Sequence, residues 1–169
     1  MRKHLRQRCI TKLRNCFKDI KNELISKGYL FKSKGDTEVL ISAWIEWGEN
    51  MLNKLDGMFS FAIYDRKNKA IFLARDRFGI KPLYYSKQGN MFSFASEQKS
   101  ILANPDFKAN LDKETLIEYF TFQNLFTNKT LFKNVKTPES MLKLGEIGLK
   151  NHIKSIGLFI PRHFYSPAL

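Results

Sequence analysis

Apolar residues recur at two different periods along the chain, and the switch between them divides it. Phe17, Ile20 and Leu24 stand three and four residues apart, with Gly28 where a helix would stop, so the spacing predicts an amphipathic helix over about 18–27. Tyr29-Leu30-Phe31 then reads as a strand or extended segment. Asp36 or Thr37 is the expected N-cap of a second helix that carries Val39, Leu40, Ala43, Trp44 and Trp47 on one face and ends at Gly48. Met51, Leu52 and Leu55 mark one more short helical turn.

From residue 58 the period becomes two. MFSFAIYD (58–65) and AIFLARD (70–76) flank a polar turn at 66–69 and predict a β-hairpin. A second hairpin is expected from PLYYSK (82–87), a turn at 88–90 and MFSFAS (91–96). Large apolar groups lie on both faces of these strands, as in a sheet covered on both sides or in half of a sandwich. Ser96 is placed to cap a short helix over 97–103, and Asp112 to cap another over 113–122, with Leu111 and Leu116 at the ends of a hydrophobic staple. After about residue 136 the alternation dissolves among Gly145, Gly148, Gly157, Pro161 and Pro167. Helices interleaved with hairpins put the chain in the α+β class.

Composition narrows the setting. The 169 residues, 43% hydrophobic and 14% aromatic, suffice for one domain with a core and exclude global disorder. No apolar run is long enough for a membrane-spanning helix, two cysteines make no disulfide scaffold, and the first residues show no signal peptide, so a reducing, cytoplasmic location is expected. The net charge of +13 would by itself suggest a nucleic-acid binder. Its distribution argues otherwise: residues 36–132 hold 12 basic and 12 acidic groups, whereas residues 1–35 carry +9 and 133–169 carry +4. The excess reads as solvated basic ends, and no nucleic-acid partner is expected.

Little in the chain announces chemistry. Cys9 and Cys16 lie in no nucleophile signature, and with His4 they lack the paired cysteines of a metal site, so no metal is expected. His152 and His163 stand far from both cysteines in sequence, and neither a phosphate-binding loop nor a dinucleotide fingerprint is present. The unusual stretch is ARDRFGIKPLYY (74–85), where Arg75, Asp76, Arg77 and Lys81 close a hydrophobic strand and Gly79 and Pro82 fix a sharp turn. Spacing alone leaves two readings open, a charged turn with an Arg–Asp pair or a binding loop.

Three motifs in order, at Asp56–Asp65, Ala74–Tyr85 and Phe94–Leu102, resemble the glutaminase domain of glutamine-hydrolysing asparagine synthetases, and the likeness runs from about Phe17 to Val135. The resemblance implies a helix–sheet–sheet–helix (αββα) sandwich of antiparallel sheets, the N-terminal-nucleophile fold. There an N-terminal cysteine thiolate attacks the glutamine side-chain amide, and the ammonia passes to a second domain that uses ATP and magnesium to amidate aspartate. It implies glutamine as ligand, with Asp36, next to Gly35, matching the acidic residue that holds the glutamine α-amino group. Arg75, Asp76, Gly79 and Pro82 match an element with a structural or interdomain role.

The chain departs from that pattern at both ends. It begins Met-Arg-Lys rather than Met-Cys-Gly, the Arg-Leu pair that grips the substrate carboxylate has no counterpart, and TKLRNCF (11–17) stands where NGEIYNF is expected. Only Phe17 matches there, and Cys16 falls on an asparagine position. The expectation is therefore a divergent basic segment (1–17), a partial glutamine amidotransferase domain (18–135) and a divergent tail (136–169), with several strands missing. Such a truncated domain is expected to be inactive alone and to carry no cofactor of its own. A synthetase domain or a second copy of the chain are the expected protein partners, and a non-catalytic partner or basic binding module on the same fold is the alternative.

Overall fold

Side-chain alternation in the first hairpin sets the layers of the molecule. The computed structural model describes residues 17–65, 70–89, 91–138, 141–144 and 155–157. Strands β1 (Ser60–Asp65) and β2 (Ala70–Arg75) pair antiparallel, Ser60 opposite Arg75 and Asp65 opposite Ala70. Phe61, Ile63, Phe72 and Ala74 point to one face and are buried against Ile20 and Leu24 of helix α1 (Phe17–Ser26) and Val39, Leu40 and Ala43 of helix α2 (Asp36–Trp47). Trp44 packs on Phe72 with ring centroids 4.6 Å apart. Ala62, Ile71 and Leu73 point the other way and meet Leu83, Phe92 and Phe94 of the second hairpin.

That hairpin consists of β3 (Tyr84–Gln88) and β4 (Met91–Ala95), with Tyr85 opposite Phe94. Its outer face buries Ala95 with Ile101 of helix α3 (Gln98–Leu102), Phe107 and Val135. Three separate apolar clusters thus bind four layers, helices, sheet, sheet and helix, which is the expected αββα sandwich. Helix α4 (Lys113–Phe122) follows, and β5 (Val135–Lys136) joins β3 at the edge of the second sheet.

Several local expectations change. Tyr29–Phe31 forms no strand. The N-cap of α2 is Gly35 and Asp36 is its first residue, and α3 is capped by Glu97 rather than Ser96, with no side-chain cap bond at either. Asp112 does cap α4, accepting from the Thr115 backbone N–H at 3.2 Å. After α2, Gly48 (φ +56°) turns the chain into a 3-10 segment, Gly48–Lys54, where a short helical turn was anticipated. Two strands arise where no alternation marks them. β6 (Met141–Leu144) pairs antiparallel with β2, and β7 (Ser155–Gly157) pairs parallel with β4, the one parallel pairing among the described strands. The sheet orders are β1-β2-β6 and β5-β3-β4-β7.

The inter-sheet layer holds Leu73 with no exposed surface, so Leu73→Ala is expected to cost about 2–5 kcal/mol of unfolding free energy in a denaturant titration. A loss below 1 kcal/mol, on the order of an exposed-site change, would contradict the assignment of this face to the core.

Candidate functional site

The two ends of α2 border two separate clefts, and the residues singled out by sequence divide between them. At its N-terminal end an open cleft of about 460 Å³ is lined by Lys18, Lys21, Lys34, Gly35, Asp36 and Val39. The sequence builds this corner in three steps. Ile20 and Leu24 anchor α1 and Val39 and Leu40 anchor α2 in the same apolar cluster, which brings Lys18 and Lys21 beside the start of α2. Glu38, three residues into the helix from its cap, reaches back to accept from the backbone N–H of Ser33 at 2.8 Å, its hydroxyl at 2.9 Å and the Lys32 N–H at 3.1 Å. That clamp fixes the 32–35 loop and so fixes where Asp36 stands. Asp36 is half-buried, and its Oδ1 accepts a long 3.5 Å contact from the Thr37 hydroxyl.

One carboxylate and three lysines thus line a single cleft at a helix N-terminus, a charge combination that suits a zwitterion. The carboxylate accepts from a ligand ammonium, while the lysines and the helix end favour a ligand anion. Lys21 is held over the Phe31 ring, its Nζ 5.2 Å from the centroid, which orders one of the three cations. Sequence reasoning selected Gly35 and Asp36 but missed the lysines and Glu38. The glutamate had a signal, its place three residues after the helix cap, whereas the lysines resemble any solvated helix face.

At the other end of α2, an open cleft of about 640 Å³ includes Glu49, Asn50, Asp56, Arg75, Arg77 and Phe78 in its lining. It is bordered by the loop that carries the RDRFGIKP motif from β2 to β3. Asp76 is only 2% exposed; its Oδ1 accepts from the Ile80 N–H at 2.9 Å and its Oδ2 from the Lys81 N–H at 3.0 Å. Its own backbone N–H donates to the Phe59 carbonyl at 2.8 Å, and its carbonyl accepts from Gly79 at 2.9 Å. Burial, the largest single influence, opposes ionisation of this carboxyl, but backbone N–H donors, Lys81 and Ile80 foremost, together outweigh it and hold the group below the ordinary carboxylate range. Gly79 has φ +63°, and a Cβ there would lie 2.6 Å from Arg75 Nη2, so the guanidinium rests on the glycine. Pro82 leads out of the loop toward β3. The four motif residues therefore gather in one tight crossover, apart from Asp36. Cys9, Cys16, His4, His152 and His163 lie outside the described residues.

Comparison with known proteins shows the family. A profile of the glutamine amidotransferase domain matches residues 14–151. The chain belongs to the glutamine amidotransferase domain family. The match takes in both clefts and extends past Val135 to cover β6. Glutamine-hydrolysing asparagine synthetase 3 of Bacillus subtilis is 42% identical over 134 residues, 78% of this chain and 22% of that protein. Asparagine synthetase 1 of the same organism is 38% identical over 143 residues, 81% of this chain and 22% of its own. This amidotransferase domain thus spans about a fifth of the length of the relatives it matches. The solved glutamine phosphoribosylpyrophosphate amidotransferase of B. subtilis, bound to ADP and GMP, overlays on 53% of this chain and 21% of its own, with a TM-score of 0.43 and 24% identity. Among the described residues no three His, Cys, Asp or Glu side chains converge as metal ligands, and no helix is long and apolar enough to cross a membrane.

The crossover yields two expectations. Asp76→Ala strands two backbone N–H groups and should cost about 2–3 kcal/mol at neutral pH. Because the folded pKa is lowered, the wild-type advantage is full above the ordinary value of 3.8 and fades as pH falls through the folded value. Denaturant titrations of both proteins from neutral to acid pH measure this, and an advantage that grows on acidification would contradict it. Gly79→Ala should lose about 1–2 kcal/mol from its left-handed backbone alone. An unchanged melting temperature would show that the loop is not held as described.

Proposed function

We propose that this chain is the glutamine-recognising domain of an asparagine-synthetase-type amidotransferase. The observation that carries the reading is the placement of Asp36 among Lys18, Lys21 and Lys34 at the start of α2. In this reading Asp36 accepts from the α-ammonium of L-glutamine and the lysine Nζ groups hold its α-carboxylate, which leaves the side-chain amide directed away from the helix end. The lysines take over the carboxylate-gripping task for which the sequence offers no Arg-Leu pair. The Glu38 clamp positions the Asp36 carboxylate and takes no part in binding.

Amide hydrolysis needs an activated thiolate with a proton-accepting amine, and neither Cys9 nor Cys16 stands in the Met-Cys-Gly context that provides both. The 169-residue chain by itself is therefore assigned binding without turnover, in a cytoplasmic setting.

Calorimetric titration of the purified chain with L-glutamine tests the recognition. Asp36→Ala should weaken binding roughly 10- to 150-fold, the equivalent of about 1.5–3 kcal/mol for one charge-assisted bond. The analogue lacking the α-amino group should bind wild type and Asp36→Ala equally weakly. Equal glutamine affinity in the two proteins would sink the assignment. Ammonia release from glutamine should stay at the buffer rate, and release that Cys9→Ala or Cys16→Ala abolishes would overturn the non-catalytic part of the reading.

A further inference from the structure

The cleft of about 640 Å³ beyond the C-terminal end of α2 shares no lining residue with the glutamine cleft, and glutamine recognition makes no use of it. Its volume lies in the range of small-molecule sites. Two stretches distant in sequence build it. One is the 3-10 segment, whose three-residue turn sets Asn50 and Asn53 one above the other, with Asp56 at the next interval just past its end. Met51 is buried in the first core cluster and Leu52 and Leu55 pack against it, which anchors that wall. The other is the loop from β2 to β3, which contributes Arg75, Arg77 and Phe78.

The loop holds its shape without help from those side chains. Both carboxylate oxygens of Asp76 receive backbone N–H groups, Gly79 takes a left-handed turn, and the Arg75 guanidinium rests on that glycine. Phe78 is nevertheless 89% exposed, so a rigid turn presents an aromatic face that folding does not use. A ligand that meets such a ring does not have to order it first. We propose that this cleft binds a nucleoside 5′-monophosphate. Each part of that molecule has a chemical counterpart in the lining. Guanidinium N–H groups of Arg75 and Arg77 suit phosphate oxygens, and Phe78 offers a face on which a base stacks. The amides of Asn50 and Asn53 both donate and accept, as a base edge requires, and the Asp56 carboxylate accepts from ribose hydroxyls. An α-amino acid would leave the ring unused, and an inorganic anion would leave the amides unused. This site is argued separately from glutamine recognition and goes beyond it.

The test is a calorimetric and amide NMR titration of the full 169-residue chain with adenosine 5′-monophosphate (AMP). One-to-one binding is expected, with saturable shifts at residues 49–57 and 75–78 and none at 34–37. Arg77 and Phe78 are both exposed, so Arg77→Ala and Phe78→Ala should leave the rest of the amide spectrum in place. Each should weaken AMP at least about tenfold, the scale of one charge-assisted bond or one stacked base. Phe78→Trp should restore the affinity that Phe78→Ala removes. Adenosine and ribose 5-phosphate should each bind at least about tenfold more weakly than AMP, and Phe78→Ala should further weaken adenosine alone. Absence of saturable shifts at 49–57 and 75–78, shifts confined to the start of α2, inorganic phosphate binding as tightly as AMP, or equal AMP affinity in wild type and Phe78→Ala would each overturn the proposal. Asp36→Ala should weaken glutamine and leave AMP unchanged, so failure of the one site and failure of the other are told apart.

Discussion

The buried carboxylate of Asp76 is the constraint on which the architecture turns. β2 belongs to the first sheet and β3 to the second, and only residues 76–83 connect them. Through its backbone Asp76 stays tied to Phe59 at the start of β1, and through both carboxylate oxygens it receives the chain as it bends at Ile80 and Lys81. Leu83 then enters the inter-sheet cluster with Leu73, Phe92 and Phe94. If this turn were loose, the two hairpins would remain well formed individually but their inner faces would lose register. A charged group is a costly way to hold a turn inside a protein, and it is tolerable here because every bond it accepts is made to backbone N–H groups that would otherwise be left unsatisfied. The same rigidity presents Phe78 almost wholly to water at the tip of the loop.

Against that frame α2 acts as a ruler between two clefts. Its N-terminal end offers a carboxylate, three lysines and the helix dipole; the 3-10 segment beyond its C-terminal end contributes Glu49, Asn50 and Asn53 to a cleft with Arg75 and Arg77. Both clefts hold charges of both signs, and the first sets them at the start of a helix that packs firmly on the first sheet through Val39, Leu40 and Ala43. The basic excess of the chain thereby acquires a local meaning. Lys18, Lys21 and Lys34 belong to residues 1–35, where +9 of the net charge resides, and these three line the same cleft as Asp36.

The hairpins were legible in the sequence because each strand residue must choose between two packed layers, and the choice writes itself as alternation: Phe61 and Ile63 toward the helices, Ala62 toward the second sheet. β6 and β7 were not legible. They are short segments added at the edges of existing hairpins, and backbone pairing with β2 and β4 defines them rather than a pattern of their own. Cap residues were half legible. Asp112 caps α4 as its type favours, but the Asp36 and Ser96 types promise caps that the backbone places elsewhere, at Gly35 and Glu97. At the site, Asp36 and Gly35 could be found by motif, whereas the lysines become neighbours only when α1 folds against α2.

The most direct measurement of the account is a two-dimensional amide NMR titration of the full chain with L-glutamine. Saturable shifts at Lys21, Gly35, Asp36 and Thr37, with residues 75–82 undisturbed, are the expected result. Shifts confined to residues 49–57 and 75–78, or a spectrum that glutamine does not change, would contradict the central claim that the amino acid is recognised at the start of α2.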